Sequence, residues 1–218
     1  MTGPAAAIQR AVDGLRQGEP IVVYDADDRE GEADLIYAAA TVTPESVARL
    51  RNDAGGLICV ALSFEVAEAF GLPYLHNSID HPTSEKIELE YDDRSSFSLS
   101  VNHRETYTGV TDKDRARTIS ALADAAARPA ETDFGATFHS PGHVSILKAA
   151  PNGLADRLGH TEIAVKLVQA AGHPPAGVVC EMLDDETGEA LSKRKARQYA
   201  TEHGFAFLEG ADVVTQYC

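Results

Sequence analysis

Short, almost wholly apolar runs alternate with segments of helical spacing along the whole chain, and this pattern limits the fold more than any other feature. Ile21-Val22-Val23-Tyr24, Leu57 to Leu62 and Ala176 to Leu183 are strand-length runs nearly free of polar residues. A strand with one wet face alternates apolar and polar positions; these runs do not, so both of their faces must be covered. Helical patterns separate them. Ile8, Val12 and Leu15 mark a helix from Ala5 to Gln17, stopped by Gly18-Glu19-Pro20. Thr43-Pro44-Glu45 opens a second in good capping order, running to about Asn52, and Ser63 caps a short one to Phe70. Asp114 to Ala127, Leu154 to Ala171 and Glu189 to Glu202 complete the helices, with Gly172 and Pro174-Pro175 ending the second of these. Phe97 to Val101 alternates with period two, and His143 to Ala149 and Phe205 to Leu208 add two further strands. One more strand is expected near Ile87 to Tyr91, within the polar stretch from Pro73 to Asp93. Such interleaving predicts a single α/β (α+β) domain over residues 1–218 with three layers: a mixed β-sheet covered by helices on both faces.

The charge balance narrows the partners. With 34 acids against 19 bases, the formal charge of −15 disfavours nucleic acid or an anionic membrane as the main partner. Six lysines stand against thirteen arginines, a balance similar to that of proteins adapted to high salt, so a halophilic origin is expected. Cys59, Cys180 and Cys218 lack metal-ligand spacing, and the first two sit in apolar runs where a small buried thiol is the default. No charged-then-apolar leader opens the chain, and no apolar run approaches the roughly 20 residues of a membrane span, so a cytoplasmic location is expected. No glycine-rich phosphate loop or dinucleotide fingerprint supports nicotinamide or P-loop chemistry.

Chemistry concentrates in a few places. Asp27-Asp28-Arg29-Glu30-Gly31-Glu32-Ala33-Asp34 packs five carboxylates into eight residues directly after an apolar strand. They repel one another unless a cation or a positively charged substrate group absorbs the charge, and hard oxygen ligands of this kind suit Mg²⁺ or Mn²⁺. The alternative is a solvated acidic turn. Arg157, His160 and Thr161 stand at i, i+3 and i+4, one face of a helix at its first turn, where free N–H groups favour an anion. They make either a phosphate cradle with an imidazole beside it or a capping arginine near a core histidine. Glu181 ends an apolar strand, where partial desolvation raises a carboxylate's pKa and suits it to proton transfer. Thr108-Gly109-Val110-Thr111-Asp112-Lys113-Asp114-Arg115 is a hydroxyl-rich turn that binds phosphate or simply caps the following helix.

Six ordered motifs together resemble the 3,4-dihydroxy-2-butanone 4-phosphate synthase family of riboflavin biosynthesis, in its monofunctional form. They are the acidic octapeptide, Gly-Leu-Ile-Cys (56–59), Thr-Gly-Val-Thr-Asp-Lys-Asp-Arg-Ala (108–116), Ser-Pro-Gly-His-Val (140–144), Arg-Leu-Gly-His-Thr-Glu (157–162) and Pro-Ala-Gly-Val-Val-Cys-Glu (175–181). The resemblance implies a lyase that converts ribulose 5-phosphate to 3,4-dihydroxy-2-butanone 4-phosphate and formate. It implies Mg²⁺ (or Mn²⁺), two ions per site with substrate bound, held by Glu30 and His160. It implies His143 and Glu181 as the essential acid/base pair, with Asp34 and Cys59 in the catalytic set. Arg29, Glu30, Asp34, Thr111, Arg157, Gly159, His160, Thr161 and Glu181 are the implied substrate contacts. A homodimer with active sites at the interface is implied too, without the GTP cyclohydrolase II module that some relatives carry. Ala33, His139 and Ser145-Ile146 depart from the family's usual residues and touch loop geometry rather than the named set.

Two other readings compete. A nucleotide- or RNA-binding module on a related fold needs a basic groove, which an acidic chain lacks. A metal-dependent phosphosugar hydrolase or isomerase would use the same ligands but release no formate.

Overall fold

The computed structural model describes residues 3–84 and 95–218. Its elements, in chain order, are α1 (Pro4–Gln17), β1 (Ile21–Tyr24), β2 (Ala33–Ala38), α2 (Pro44–Asp53), β3 (Cys59–Leu62), α3 (Phe64–Ala69) and β4 (Phe97–His103). They continue with α4 (Asp112–Ala127), α5 (Phe134–Thr137), β5 (Phe138–Lys148), α6 (His160–Ala170), β6 (Ala176–Glu181), α7 (Lys193–His203), β7 (Ala206–Glu209) and α8 (Gly210–Tyr217). The strand expected near Ile87 to Tyr91 lies outside the described residues.

The seven strands form one sheet in the order β4-β5-β3-β6-β2-β1-β7. It is mixed: β3 runs parallel to β5 and β1 parallel to β7, while the other neighbours are antiparallel. Residues of β1, β2, β3 and β6 are buried without alternation, apart from Glu181 at the end of β6, as a doubly covered sheet requires. Two cores account for this. Val22, Leu35, Val60 and Val178 face α2, α3, α4 and α7. Ile21, Ile36, Ala61 and Val179 face α1, α6 and α8. Helix α6 lies close on the sheet because Gly177 has no side chain: a Cβ there would stand 3.0 Å from that of Ala164. The three-layer architecture is therefore the one anticipated.

Several boundaries differ, each for a local reason. Helix α6 starts at His160 rather than Leu154, since Gly153 takes a positive φ and residues 153–155 form a separate 3₁₀ turn. Arg157 is thus in the approach to the helix, and only His160 and Thr161 occupy its first turn. Helix α7 starts at Lys193, not Glu189, because residues 183–190 fold back through a Leu183–Ala190 bridge before Ser192 caps the helix. Strand β5 begins five residues early, at Phe138, and reaches β4 through two register irregularities. Helices α5 and α8 were not foreseen.

The registers fix one end of the sheet. Asp34 pairs with Val23 on one side and Glu181 on the other. Cys59 pairs with Val179 and with Ser145. Two residues further toward the same end, Glu181 and His143 flank the start of β3, two strand spacings or roughly 10 Å apart. Alternation places Asp34, Cys59, Glu181 and His143 on the face covered by α6.

Candidate active site

The acidic turn is built before it is charged. Asp25 follows β1, and its N–H donates to the Glu32 carbonyl at 3.1 Å, closing the loop. Gly31, at φ +68°, makes the reversal that sends the chain into β2. The outer flank is tied down by Tyr24, whose hydroxyl donates to Asp27 at 2.7 Å, and by Lys193, whose ammonium lies over the Tyr24 ring. Burial and the Asp27 hydrogen bond push the Tyr24 phenol up to about 12. This flank is the solvated turn that charge density alone suggests. The inner flank is different: Glu30 turns toward α6.

There His160 sits almost fully buried with its Nδ1 3.3 Å from Glu30 and 3.6 Å from Asp34. Its Nε2 donates to the Val23 carbonyl at 3.3 Å, which leaves Nδ1 facing the carboxylates. Burial by itself would lower this imidazole, but Asp34, the Glu30 hydrogen bond and Asp25 outweigh it and raise it to about 9. Asp34 is 1% exposed, and among the described residues nothing donates a hydrogen bond to its Oδ1. Burial, reinforced by Glu181, Glu30 and Glu32, pushes its carboxyl up to about 7. Burial also opposes the charge on Glu30, yet His160, Arg29 and Arg157 together keep its carboxyl below the ordinary range.

Two guanidinium groups roof the site. Arg29 Nη2 is 3.5 Å from Glu30, and Arg157 donates from Nη1 to the buried Glu162 at 2.9 Å. Both lie against the backbone that precedes α6, close over Gly159: a Cβ there would stand 2.1 Å from Arg157 Nη1 and 3.1 Å from Arg29 Nη2 and would push the guanidinium groups aside. Gly159, His160 and Thr161 present the free N–H end of α6 next to these two cations, an anion-binding arrangement. Glu30, Asp34, Phe97, Arg157, His160 and Glu181 line a cavity of about 110 Å³.

The donor set fits a hard divalent cation. Asp25, Glu30 and His160 each bring a ligand atom to within 4.8 Å of the others. The carboxylates that converge on His160 raise its imidazole, and among the described residues nothing donates a hydrogen bond to Asp34 Oδ1. An ion near Glu30 and Nδ1 would answer both.

Not every expected residue joins this cluster. Thr111 is exposed and its hydroxyl accepts the Asp114 N–H as the cap of α4, on the opposite face of the sheet from α6. His143 is exposed and lies outside the cavity; its N–H donates to Asn102 at 2.8 Å. His143 and Glu181 are therefore not in contact within one chain. Cys59 is on the correct face but buried, and burial followed by the Glu181 charge raises its thiol well above the ordinary range, so it stays protonated. Three residues with clear roles escaped sequence reasoning. Glu162 holds Arg157, Asn102 holds His143, and Asp25 shapes the loop. Asp25 carried the same signal as Glu181, an acid ending an apolar strand.

A family model described as 3,4-dihydroxy-2-butanone 4-phosphate synthase matches residues 9–216. The chain belongs to the 3,4-dihydroxy-2-butanone 4-phosphate synthase family. The synthase of Methanothermobacter thermautotrophicus is 44% identical over 96% of this chain and 95% of its own length. That of Archaeoglobus fulgidus is 45% identical over 96% and 93%. A crystal structure of a synthase in complex with two magnesium ions superposes with a TM-score of 0.81 at 30% identity, covering 96% of this chain and 95% of that one. A synthase of Candida albicans superposes at 0.80 with 33% identity over 97% of both chains.

Proposed function

We propose that this chain is a lyase acting on D-ribulose 5-phosphate, with L-3,4-dihydroxy-2-butanone 4-phosphate and formate as products, in riboflavin biosynthesis. The observation that carries the proposal is the convergence of Glu30 and Asp34 on His160 Nδ1 beneath Arg29 and Arg157. Glu30 and His160 would hold Mg²⁺ or Mn²⁺, with a second ion arriving with the substrate. When bound, the cation supplies a Lewis acid for the C2 carbonyl and balances the carboxylates. Arg157, Arg29 and the N–H groups of Gly159 to Thr161 bind the phosphosugar. Enolisation needs a base at the C3 proton, and the later water loss and carbon shift need protons delivered and removed at other atoms. Asp34, raised toward neutrality, and Glu181, opposite it in the sheet, are suited to those transfers. Cys59 serves as a dry wall beneath them.

The reading extends to a homodimer, one domain per chain, with active sites at the interface. A cavity of about 110 Å³ is below the roughly 300 Å³ at which ligand pockets begin, so the described residues of one chain leave the substrate incompletely walled. Leu57, Tyr107 and Val110 are exposed apolar residues, two of them in the stretch leading to Thr111. A second copy seated there would bring His143 and Thr111, both exposed, to a neighbour's cavity. Among the described residues no helix is long and apolar enough to cross a membrane, which is compatible with a cytoplasmic enzyme.

The test is incubation with ribulose 5-phosphate and Mg²⁺, with formate measured directly and sedimentation run in parallel. Formate that disappears on adding EDTA supports the lyase. Orthophosphate or an isomeric sugar phosphate without formate would move the chain to the hydrolase or isomerase reading.

A further inference from the structure

Asp25 stands in the donor set but outside the substrate contacts and proton transfers, and its carboxylate is the most heavily engaged in the loop. It is 4% exposed. Oδ1 accepts the Glu32 N–H at 3.0 Å, and Oδ2 accepts the Glu30 N–H at 3.0 Å together with an Arg29 guanidinium N–H at 3.3 Å. One side chain therefore closes the turn from inside, and it grips the two residues that flank the ion and phosphate positions. Its grouping with Glu30 and His160 makes it look like a third metal ligand. The hydrogen bonds oppose that: both oxygens already face donors, whereas among the described residues Glu30 faces His160 and the two guanidinium groups.

We infer that Asp25 is a positioning residue, acting through Glu30 and Arg29 to set the metal and phosphate sites without binding either ligand. The physical need is clear. Five carboxylates in eight residues drive the loop open, and nothing in its sequence prefers Glu30 inward over Asp27 or Asp28. Asp25 supplies that preference by fixing the Glu30 and Glu32 backbone, while Tyr24 and Lys193 hold Asp27 on the outside. The charge on Asp25 matters as well as its shape, since it holds Arg29 against Gly159.

The inference rests on the metal reading of Glu30 and His160, and the experiment separates the two. Mn²⁺ binding is followed by electron paramagnetic resonance in the parent, Asp25→Asn and Glu30→Gln. Ribulose 5-phosphate binding is followed by calorimetry in EDTA, where no turnover occurs. The amide of Asp25→Asn keeps one acceptor but turns an NH₂ toward other donors. It should weaken Mn²⁺ binding about 10- to 100-fold, the usual effect of losing an outer partner of a metal ligand. It should also weaken metal-free sugar phosphate binding, through Arg29, and raise KM more than it lowers kcat. Mn²⁺ affinity within about threefold of the parent would reduce Asp25 to a structural role and overturn the inference. Lost Mn²⁺ affinity with unchanged sugar binding in EDTA would make Asp25 a ligand and overturn it equally. A parent that binds no Mn²⁺ removes the metal reading and this inference with it. Should Asp25→Asn not fold, amide exchange in the metal-free parent decides: slow Glu30 and Glu32 amides support the role, and exchange as fast as that of Asp28 refutes it.

Discussion

Without metal, the protein should lose stability as pH rises from about 6.5 toward 9, and saturating Mg²⁺ should remove most of that loss. His160 is the cause. Its imidazole is raised from 6.5 to about 9 because Asp34, Glu30 and Asp25 reward the protonated form more than burial penalises it. The folded state thus binds this proton more tightly than the unfolded chain does. The histidine's contribution is complete below 6.5 and is lost as pH climbs through 9. The rise from 6.5 to about 9, at about 1.4 kcal/mol per pH unit, corresponds to about 3–4 kcal/mol. For a chain of this size that is roughly 6–16 °C in Tm, at about 2–4 °C per kcal/mol. Asp34 acts in the same direction at lower pH: burial keeps its protonated form, so stability also falls as pH rises from 3.8 toward 7. The assay is thermal unfolding from pH 6 to 9 in EDTA at fixed salt, for the parent and His160→Gln. A Mg²⁺ ion held by His160 would take the neutral imidazole, so its stabilising effect should grow with pH. A flat Tm between pH 6.5 and 9, or the same slope in His160→Gln, would refute the reasoning.

Other expectations follow from the same contacts. Glu181→Gln keeps shape and hydrogen bonding but accepts no proton, so kcat should fall about 10²- to 10⁴-fold with Mn²⁺ binding retained; exchange of the C3 hydrogen at the parent's rate would place the enolising base at Asp34 or His143. Glu162→Gln loosens the buried anchor of Arg157, so KM for ribulose 5-phosphate should rise while stability drops by about 1–3 kcal/mol. An unchanged KM would show that Arg157 holds its direction without Glu162. With a charge of −15, self-repulsion is relieved by screening, and Tm should be higher in 2 M KCl than in 0.1 M; a flat response removes the case for a halophilic origin.

The fold was legible because burial on two faces leaves an unmistakable mark. Runs such as Ile21–Tyr24 can only be central strands, and the intervening helices must then cover both sides. Boundaries were lost where apolar spacing persisted beyond the helix. Leu154 and Leu158 continue the pattern of α6, yet Leu154 lies in a 3₁₀ turn over residues 153–155, the chain then leaves helical geometry, and Leu158 is exposed. Within the site, residues with unusual chemistry on local motifs were visible: Glu30, Asp34, Arg157, His160 and Glu181 line one cavity. Their supports were not. Glu162 and Asn102 act through contacts to Arg157 and His143 that no spacing rule encodes. Thr111 and His143 were legible as motifs but not as places: both are exposed and neither lines the cavity, which no local spacing foretells.

The arrangement also explains why the acidic loop belongs at this sheet end. β2 lies between β1 and β6 and runs antiparallel to both, so its first residues and the last of β6 meet at one edge, with Asp34 opposite Glu181. Helix α6, drawn close by Gly177, brings its N-terminus and His160 over that edge. Carboxylates from two strands and a loop thus share a dry corner with one imidazole. The carboxylates raise the His160 imidazole, and among the described residues Asp34 Oδ1 accepts no hydrogen bond, so a divalent cation would relieve the corner. Such a corner favours the ion-bound protein by RT ln(1 + [M]/Kd), about 2.7 kcal/mol when the metal is at about 100 times its dissociation constant. Binding and folding stability are therefore coupled through the residues that would perform the chemistry, and Asp34→Asn, which removes a carboxylate that burial disfavours, should raise Tm in EDTA above pH 7 as it loses activity; an unchanged Tm would refute this.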